Sequence, residues 1–141
     1  MNGVDLLKFV QENIVLIAVA FVSGGMLLWP ALRRGAAGPT VNTLEATILI
    51  NQQDALLLDV RDASDYHQGH ILAARNVPLA QLEARVSDLS KYKERPVIIS
   101  CQSGNVSAKA AAVLRRHGFT QVFNLAGGIA AWQQAGLPVE K

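Results

Sequence analysis

A single cysteine is the residue of this chain best suited to covalent chemistry. Cys101 is the only cysteine among 141 residues and lies in the stretch VIISCQSGNVSAKAAAVL, residues 97–114. An apolar run precedes Cys101, a short loop of small and polar residues follows it, and an alanine-rich segment then predicts a helix. A thiol between a strand end and a helix start lies where a fold can present a nucleophile. A buried core thiol is the alternative interpretation of the same position.

The loop after Cys101 favours binding of an anionic sulfur. A thiol attacks as its thiolate, and the helix that begins near Ser107 would direct its positive dipole end and unpaired N–H groups at the loop. Gly104 and Asn105 tolerate positive φ angles, so the loop from Gln102 to Val106 can curl until several backbone N–H groups face one anion. Such a nest of amides would hold a thiolate, or a sulfur that carries an extra sulfur.

Strand and helix signals alternate on both sides of this loop. Three apolar runs predict strands, and two of them have the continuous pattern of strands that are buried on both faces: 55–60, 96–100 and 121–125. A further short strand is expected at ARNVP, and a short helical turn is expected in ASDYHQGH, ending at Gly69. Four other segments predict helices: 44–51 capped by Thr43, 79–90, Ser107 to His117, and 127–136.

This alternation predicts an α/β fold with a mainly parallel sheet that is covered by helices. In such sheets ligands bind beyond the carboxyl ends of the strands. Cys101 directly follows one of those ends, so the fold class and the candidate nucleophile agree.

The N-terminal part of the chain predicts a membrane anchor. Twenty residues without a charge, 13–32, separate Glu12 from Arg33, and a helix of that length spans a bilayer core of roughly 30 Å. A cleaved signal peptide is the competing interpretation, but it lacks a basic n-region and would be followed by Arg33 and Arg34. The positive-inside rule then places the rest of the chain in the cytoplasm, as a single-pass protein of the inner membrane.

The expected organisation therefore has four parts: a short N-terminal segment at 1–12, a transmembrane helix at 13–32, a Gly/Ala/Pro-rich linker at 33–40 and one domain at 41–141. Because there is one cysteine, an intramolecular disulfide is excluded. Three histidines and one cysteine without ligand spacing suggest no metal site and no cofactor. The net charge of +2 does not indicate a nucleic-acid partner.

Four ordered motifs together resemble the rhodanese (sulfurtransferase) family. The stretch LLDVRDASDYHQGHILAARNVPL, residues 57–79, is similar to that family's Asp-Val-Arg, Tyr, Gly-His-Ile and Asn-x-Pro signature. Residues 96–119 resemble its strand, active-site cysteine loop and helix, residues 122–132 its Leu-x-Gly-Gly-x-x-x-Trp element, and residues 135–139 its closing Gly-x-Pro. With the anchor, the chain resembles the bacterial inner-membrane single-domain rhodaneses.

The resemblance implies a domain of about 100 residues around a five-stranded parallel sheet. It implies that Cys101 takes a sulfane sulfur from a small donor, thiosulfate or a persulfide, and passes it to a thiol or other nucleophilic acceptor. The amides implied to bind the persulfide belong to six residues: Gln102, Ser103, Gly104, Asn105, Val106 and Ser107.

The resemblance also favours bracing roles for residues that could otherwise contact a substrate. Asp59 and Arg61 are expected to bond loops and to pair with Asp62 or Asp65. His70 is expected to make a structural hydrogen bond instead of serving Cys101 as an acid or base. Trp132 is expected in the core or at its rim.

The loop departs from many thiosulfate-using members of the family, because residues 102–107 contain no Arg or Lys. Without a guanidinium or ammonium group to pair with a sulfonate, a persulfide or polysulfide is at least as plausible a donor as thiosulfate. A phosphatase or arsenate reductase would need Cys-x₅-Arg, and Ser107 stands where that Arg would be. A non-catalytic, membrane-tethered module that binds a partner protein stays open as the alternative function.

Overall fold

The computed structural model describes residues 3–102 and 106–141, and for residues 33–37 it describes the backbone alone. The chain divides into two compact units, Met1–Gly35 and Ala36–Lys141. Three residues of the predicted persulfide loop, Ser103, Gly104 and Asn105, lie outside the described residues.

The N-terminal unit is helical. Helix α1 (Gly3–Glu12) was not predicted, and it is followed by α2 (Ile14–Ala37). The segment Ile14–Leu32 has 19 residues with a mean hydropathy of 2.2, which is long and apolar enough to cross a membrane. The backbone of residues 33–37, the first part of the predicted linker, continues α2.

The second unit is built on a five-stranded parallel sheet, as the resemblance implied. The bounds of its strands are β1 Thr40–Val41, β2 Leu56–Asp59, β4 Arg75–Asn76, β5 Val97–Ser100 and β6 Val122–Leu125. They lie side by side in the order β1-β6-β5-β2-β4. The two-residue strand β1 was not predicted, because so short a run carries no periodicity.

Strand β5 is the centre of the sheet and explains where Cys101 lies. All four of its residues are fully buried between β2 and β6, as the continuous apolar run predicted. The register places Asp59 of β2 opposite Ser100 of β5, and the N–H of Val60 donates to the carbonyl of Ser100 at 3.0 Å. The two strands therefore end at one edge of the sheet, and Cys101 is the next residue at that edge.

Helices cover both faces of the sheet. Their bounds are α3 Thr43–Gln53, α4 Ala63–Gln68, α5 Leu79–Arg85, α6 Ser107–Arg116 and α7 Gly128–Gln134. One core cluster joins the sheet to α5 and α6, and a second joins the opposite face to α3 and α7. The chain thus forms the helix-covered α/β fold that the sequence predicted.

The start of α3 and the end of α5 differ from the prediction. The cap of α3 is Asn42 and not Thr43, because the Asn42 side chain accepts from the Glu45 N–H at 2.8 Å while the Glu45 carboxylate accepts from the Asn42 N–H at 2.8 Å. This reciprocal capping box satisfies two N–H groups that would otherwise lack partners. The helix predicted over 79–90 ends at Arg85 and continues as a 3₁₀ helix over Val86–Tyr92.

A second, two-stranded sheet pairs β3 (His70–Ile71) with β7 (Val139–Glu140) in antiparallel register. Neither strand was predicted. This strand pair connects the segment that follows α4 to residues about 70 positions further along the chain.

Helix α7 approaches the Cys101 loop unusually closely because it begins with glycine. The Ile129 N–H donates to the Cys101 carbonyl at 2.9 Å. A Cβ at Gly128 would lie 3.0 Å from the carbonyl carbons of Cys101 and Gln102 and would overlap the Cys101 carbonyl oxygen. Gly128 also has a φ of +57°, which L side chains rarely adopt. Glycine at this position therefore lets α7 support the loop from behind.

We expect Gly128→Ala to destabilise the fold more than Gly136→Ala. Gly136 has a similar φ of +69°, but a Cβ added there would meet no atom within 4 Å. The Gly136→Ala variant therefore measures the destabilisation that the backbone conformation alone causes, about 1–2 kcal/mol. Overlap with the Cys101 carbonyl should add about 1–3 kcal/mol at Gly128. Urea unfolding of the full chain in detergent, followed by circular dichroism, measures both values. Equal losses would contradict a steric role for Gly128.

Candidate functional site

Cys101 lies at the carboxyl edge of the sheet with its side chain turned inward. It is 2% exposed and belongs to the core cluster that includes Ala110 and Ala111 of α6. Small alanine side chains let α6 pack close to β5, so the helix starts near the thiol. Cys101 therefore lies directly after the strand end, where the sequence predicted it, and its thiol is largely shielded from bulk water; its role as the nucleophile stays a prediction.

The described part of the predicted persulfide loop lies on both sides of residues 103–105. Gln102 and Val106 are exposed, Val106 directly precedes α6, and Ser107 is the buried first residue of that helix. The N–H groups at the start of a helix lack intrahelical partners and carry partial positive charge. The backbone around Val106 and Ser107 can therefore support an anion near Cys101.

Asp59 and Arg61 form a buried ion pair that holds neighbouring loops together. The Arg61 Nε donates to both Asp59 carboxylate oxygens at 3.0 and 3.1 Å, and Nη2 donates to Oδ2 at 2.7 Å. Nη2 also donates to the Gly69 carbonyl at 2.8 Å. The predicted bracing role of Arg61 is confirmed, but its partner is Asp59, whereas Asp62 before α4 and Asp65 within it are exposed.

Asn76 extends this bracing to the next strand. Its side-chain amide donates to the carbonyls of Asp59 and Arg61 at 3.0 and 2.9 Å. The backbone after β2 is thus fixed from one side by Asn76 and from the other by the ion pair.

His70 is held by structural contacts, as the resemblance favoured. Its ring stacks on Tyr66 with 3.7 Å between centroids. Nδ1 lies 2.9 Å from the Tyr66 carbonyl and Nε2 lies 3.2 Å from the Glu140 carboxylate, so both ring nitrogens are engaged. The pKa of Tyr66 is raised above its ordinary value, first by burial and then by the charges of Glu140 and Asp59; its hydroxyl accordingly stays protonated and donates to the Ala74 carbonyl at 2.8 Å.

Trp132 lies in the core, as expected. It is 4% exposed, packs in the cluster of α3 and α7, and donates its indole N–H to the Pro138 carbonyl at 3.0 Å. It therefore anchors the segment that leads to β7 and does not serve as a platform for a substrate.

A polar cavity of about 220 Å³ lies beside the Cys101 loop, and sequence reasoning missed it. It is open to solvent and is lined by the loop after β2, α4, the start of the Cys101 loop and one side of α7. Its lining residues are Arg61, Asp65, Gln68, Gly69, Gln102, Ile129 and Gln133. Of these, only Arg61 and Gln102 were singled out from the sequence as candidates for the site. The sequence predicted that several loops meet at one edge of the sheet. That prediction does not reveal which of their side chains line a cavity, so the other five residues could not be named.

Metal chemistry finds no support in the described part of the chain. Residues 3–102 and 106–141 contain no group of three or more His, Cys, Asp or Glu side chains arranged to hold a metal ion. The chemistry available at the site is that of a thiol beside backbone N–H groups and a polar cavity.

Comparisons with known proteins agree with this geometry. Residues 42–135 match the family model described as Rhodanese-like domain. The uncharacterized protein YibN of Escherichia coli is 40% identical over 96 residues, which is 67% of this chain and 67% of YibN. A protein of Allochromatium vinosum named sulfurtransferase is 40% identical over 91 residues, which is 64% of this chain and 83% of the relative.

A solved structure shows the same fold. The crystal structure of a Rhodanese_3-like domain from an Anabaena protein has a TM-score of 0.57 and 38% identity, covering 61% of this chain and 98% of that domain. The family match covers well over half of the sequence and includes β2, the Cys101 loop and α7. The chain therefore belongs to the rhodanese-like domain family.

Proposed function

We propose that this protein is a membrane-anchored sulfurtransferase that carries sulfane sulfur as a persulfide on Cys101. The observation that carries the proposal is the position of Cys101, between the end of β5 and the start of α6 and beside a polar cavity. Membership of the rhodanese-like family and the sulfurtransferase name of one relative support a transferase reaction.

The reaction has two balanced steps. In the first, the Cys101 thiolate attacks the outer sulfur of a donor R–S–SH; a new S–S bond forms at Cys101, the donor's S–S bond breaks, and R–S⁻ leaves with the electron pair. In the second, an acceptor thiolate attacks the outer sulfur of the Cys101 persulfide and regenerates the Cys101 thiolate. No external oxidant or reductant is needed in either step.

The residues proposed to hold the persulfide act through their backbone amides. Val106 and Ser107 offer the N–H groups at the start of α6, and Gln102 directly follows the nucleophile. Ser103, Gly104 and Asn105 complete the proposed set. Because none of these residues is charged, the site suits a persulfide anion better than a sulfonate-bearing donor.

We expect a persulfide or polysulfide donor to add one sulfur, about 32 Da, to Cys101 of the full chain in detergent, because the thiolate attacks a sulfane sulfur. Intact-protein mass spectrometry measures the adduct, and the Cys101→Ser variant is the matched control since the chain has no other cysteine. Thiosulfate should load Cys101 more slowly than glutathione persulfide. Absence of the adduct with every donor would refute sulfur transfer and favour a tethered, non-catalytic module.

The proposed location is the inner membrane, with residues 13–32 spanning it and the domain at 41–141 in the cytoplasm. The apolar span Ile14–Leu32 supports an anchor, and Arg33 and Arg34 directly after it favour the cytoplasmic side for the domain. The linker at 33–40 would then join the span to β1.

We expect protease added to intact spheroplasts to leave the domain uncut, and protease added to inverted membrane vesicles to digest it. Replacing both arginines, Arg33→Glu with Arg34→Glu, should weaken this orientation because the positive charges that retain the domain are lost. Intact mass should show that residues 1–32 are retained. Digestion in intact spheroplasts, or loss of the N-terminal segment, would contradict the proposed topology.

A further inference from the structure

The cavity beside the Cys101 loop presents both a cation and an anion to a ligand. Arg61 and Asp65 line it together with three neutral amide side chains, Gln68, Gln102 and Gln133. The charge of Arg61 is already balanced by Asp59, so Asp65 leaves the surroundings of the cavity with an excess negative charge. Such a cavity opposes a doubly negative donor and suits a ligand that itself carries both signs.

Arg61 retains unused hydrogen-bond donors although its side chain is only 7% exposed. A guanidinium has five N–H donors. The Nε donor and both Nη2 donors engage Asp59 and the Gly69 carbonyl, whereas Nη1 has no partner among the described residues. Because Nη1 is not among the buried side-chain atoms that lack a partner, it is accessible to solvent, and in the wall of the cavity that Arg61 lines it can donate to an anionic acceptor such as a carboxylate.

Asp65 supplies the complementary group. It is exposed on α4 and makes no hydrogen bond or ion pair with any other residue that the structure describes. Its carboxylate can therefore accept from an ammonium group. The cavity volume of about 220 Å³ is below the roughly 300–1,000 Å³ of sites for drug-sized ligands and matches a group about the size of one amino acid.

We infer that this cavity binds the α-amino-acid group of a low-molecular-weight persulfide, with the carboxylate on Arg61 and the ammonium beside Asp65. Gln102 belongs both to the cavity and to the Cys101 loop, so the bound persulfide would extend from the cavity toward the thiol. The inference rests on the proposed function, because it names the donor class for the same Cys101. The transfer is the one written above: the outer sulfur moves to Cys101 and the amino-acid thiol leaves.

Three donors that differ by one group test the inference on the full chain in detergent. Cysteine persulfide carries ammonium and carboxylate, 3-mercaptopropionate persulfide lacks the ammonium, and cysteamine persulfide lacks the carboxylate. For each donor, the rate of the 32 Da gain at Cys101 is measured and divided by the rate at which the same donor transfers sulfur to free N-acetylcysteine. This ratio corrects for differences in the intrinsic reactivity of the donors. Relative to cysteine persulfide, we expect about tenfold slower loading without the carboxylate and about threefold slower loading without the ammonium.

The variant Asp65→Asn assigns the ammonium contact. It should slow cysteine persulfide and cysteamine persulfide about threefold but should not slow 3-mercaptopropionate persulfide, because that donor has no ammonium group and a negative charge that repels it is removed. Asp62→Asn is the matched control, because Asp62 is also exposed and precedes α4, forms no side-chain capping bond and does not line the cavity. Arg61 is left intact, since a change there would also remove the partner of Asp59.

Inorganic polysulfide, which has no amino-acid group, separates failure of the inference from failure of the proposed function. If polysulfide loads Cys101 and the three organic donors load at equal normalised rates, the inference is overturned and sulfur transfer stands. Equal effects of Asp65→Asn and Asp62→Asn would likewise overturn the assignment of Asp65. If no donor, polysulfide included, loads Cys101, both proposals fall together.

Discussion

The site depends on one buried ion pair, Asp59 with Arg61, at the carboxyl edge of the sheet. The guanidinium joins the end of β2 to the Gly69 carbonyl, and the carbonyls on either side of Val60 are held by Asn76. A buried pair adds little net stability over apolar packing, but removing one partner leaves an unpaired charge that costs about 3–5 kcal/mol. Its contribution is therefore geometric, because it fixes the loop that forms one wall of the cavity.

Cys101 itself is held by its neighbours in the fold. β5 directly precedes it, and Ile129 of α7 donates to its carbonyl. Its side chain packs against Ala110 and Ala111 of α6 in one core cluster. Under the proposed donor binding, Arg61 would supply a cation beside the cavity without placing a charge in the loop after Cys101.

The sequence was sufficient for the sheet and for the position of Cys101. The apolar runs of β2 and β5 are buried on both faces as their patterns predicted, and the four motifs placed Cys101 at a strand end. It was insufficient where structure depends on contacts between distant residues. The two-residue strands β1, β3 and β7 have no local signal, Asn42 displaced Thr43 as the cap through a bond with Glu45, and Gln133 lines the cavity only because α7 packs beside Gln102. The residues that line the cavity could thus be predicted only in part, whereas the position of Cys101 at the end of a strand could be predicted.

The pairing of β3 with β7 also has a consequence for the order in which the molecule is completed during synthesis. Glu140 contacts the His70 ring and the Ala73 N–H across about 70 residues of chain. At the ribosome's rate of about 5–20 residues per second, several seconds separate the emergence of these two segments. In that interval β3 has no strand partner. A nascent chain in which Cys101 has already been made therefore still lacks the β3–β7 pair next to Gly69, which lines the cavity. The segment that follows the cavity residue Gly69 is therefore completed only after β7 has been made and docked.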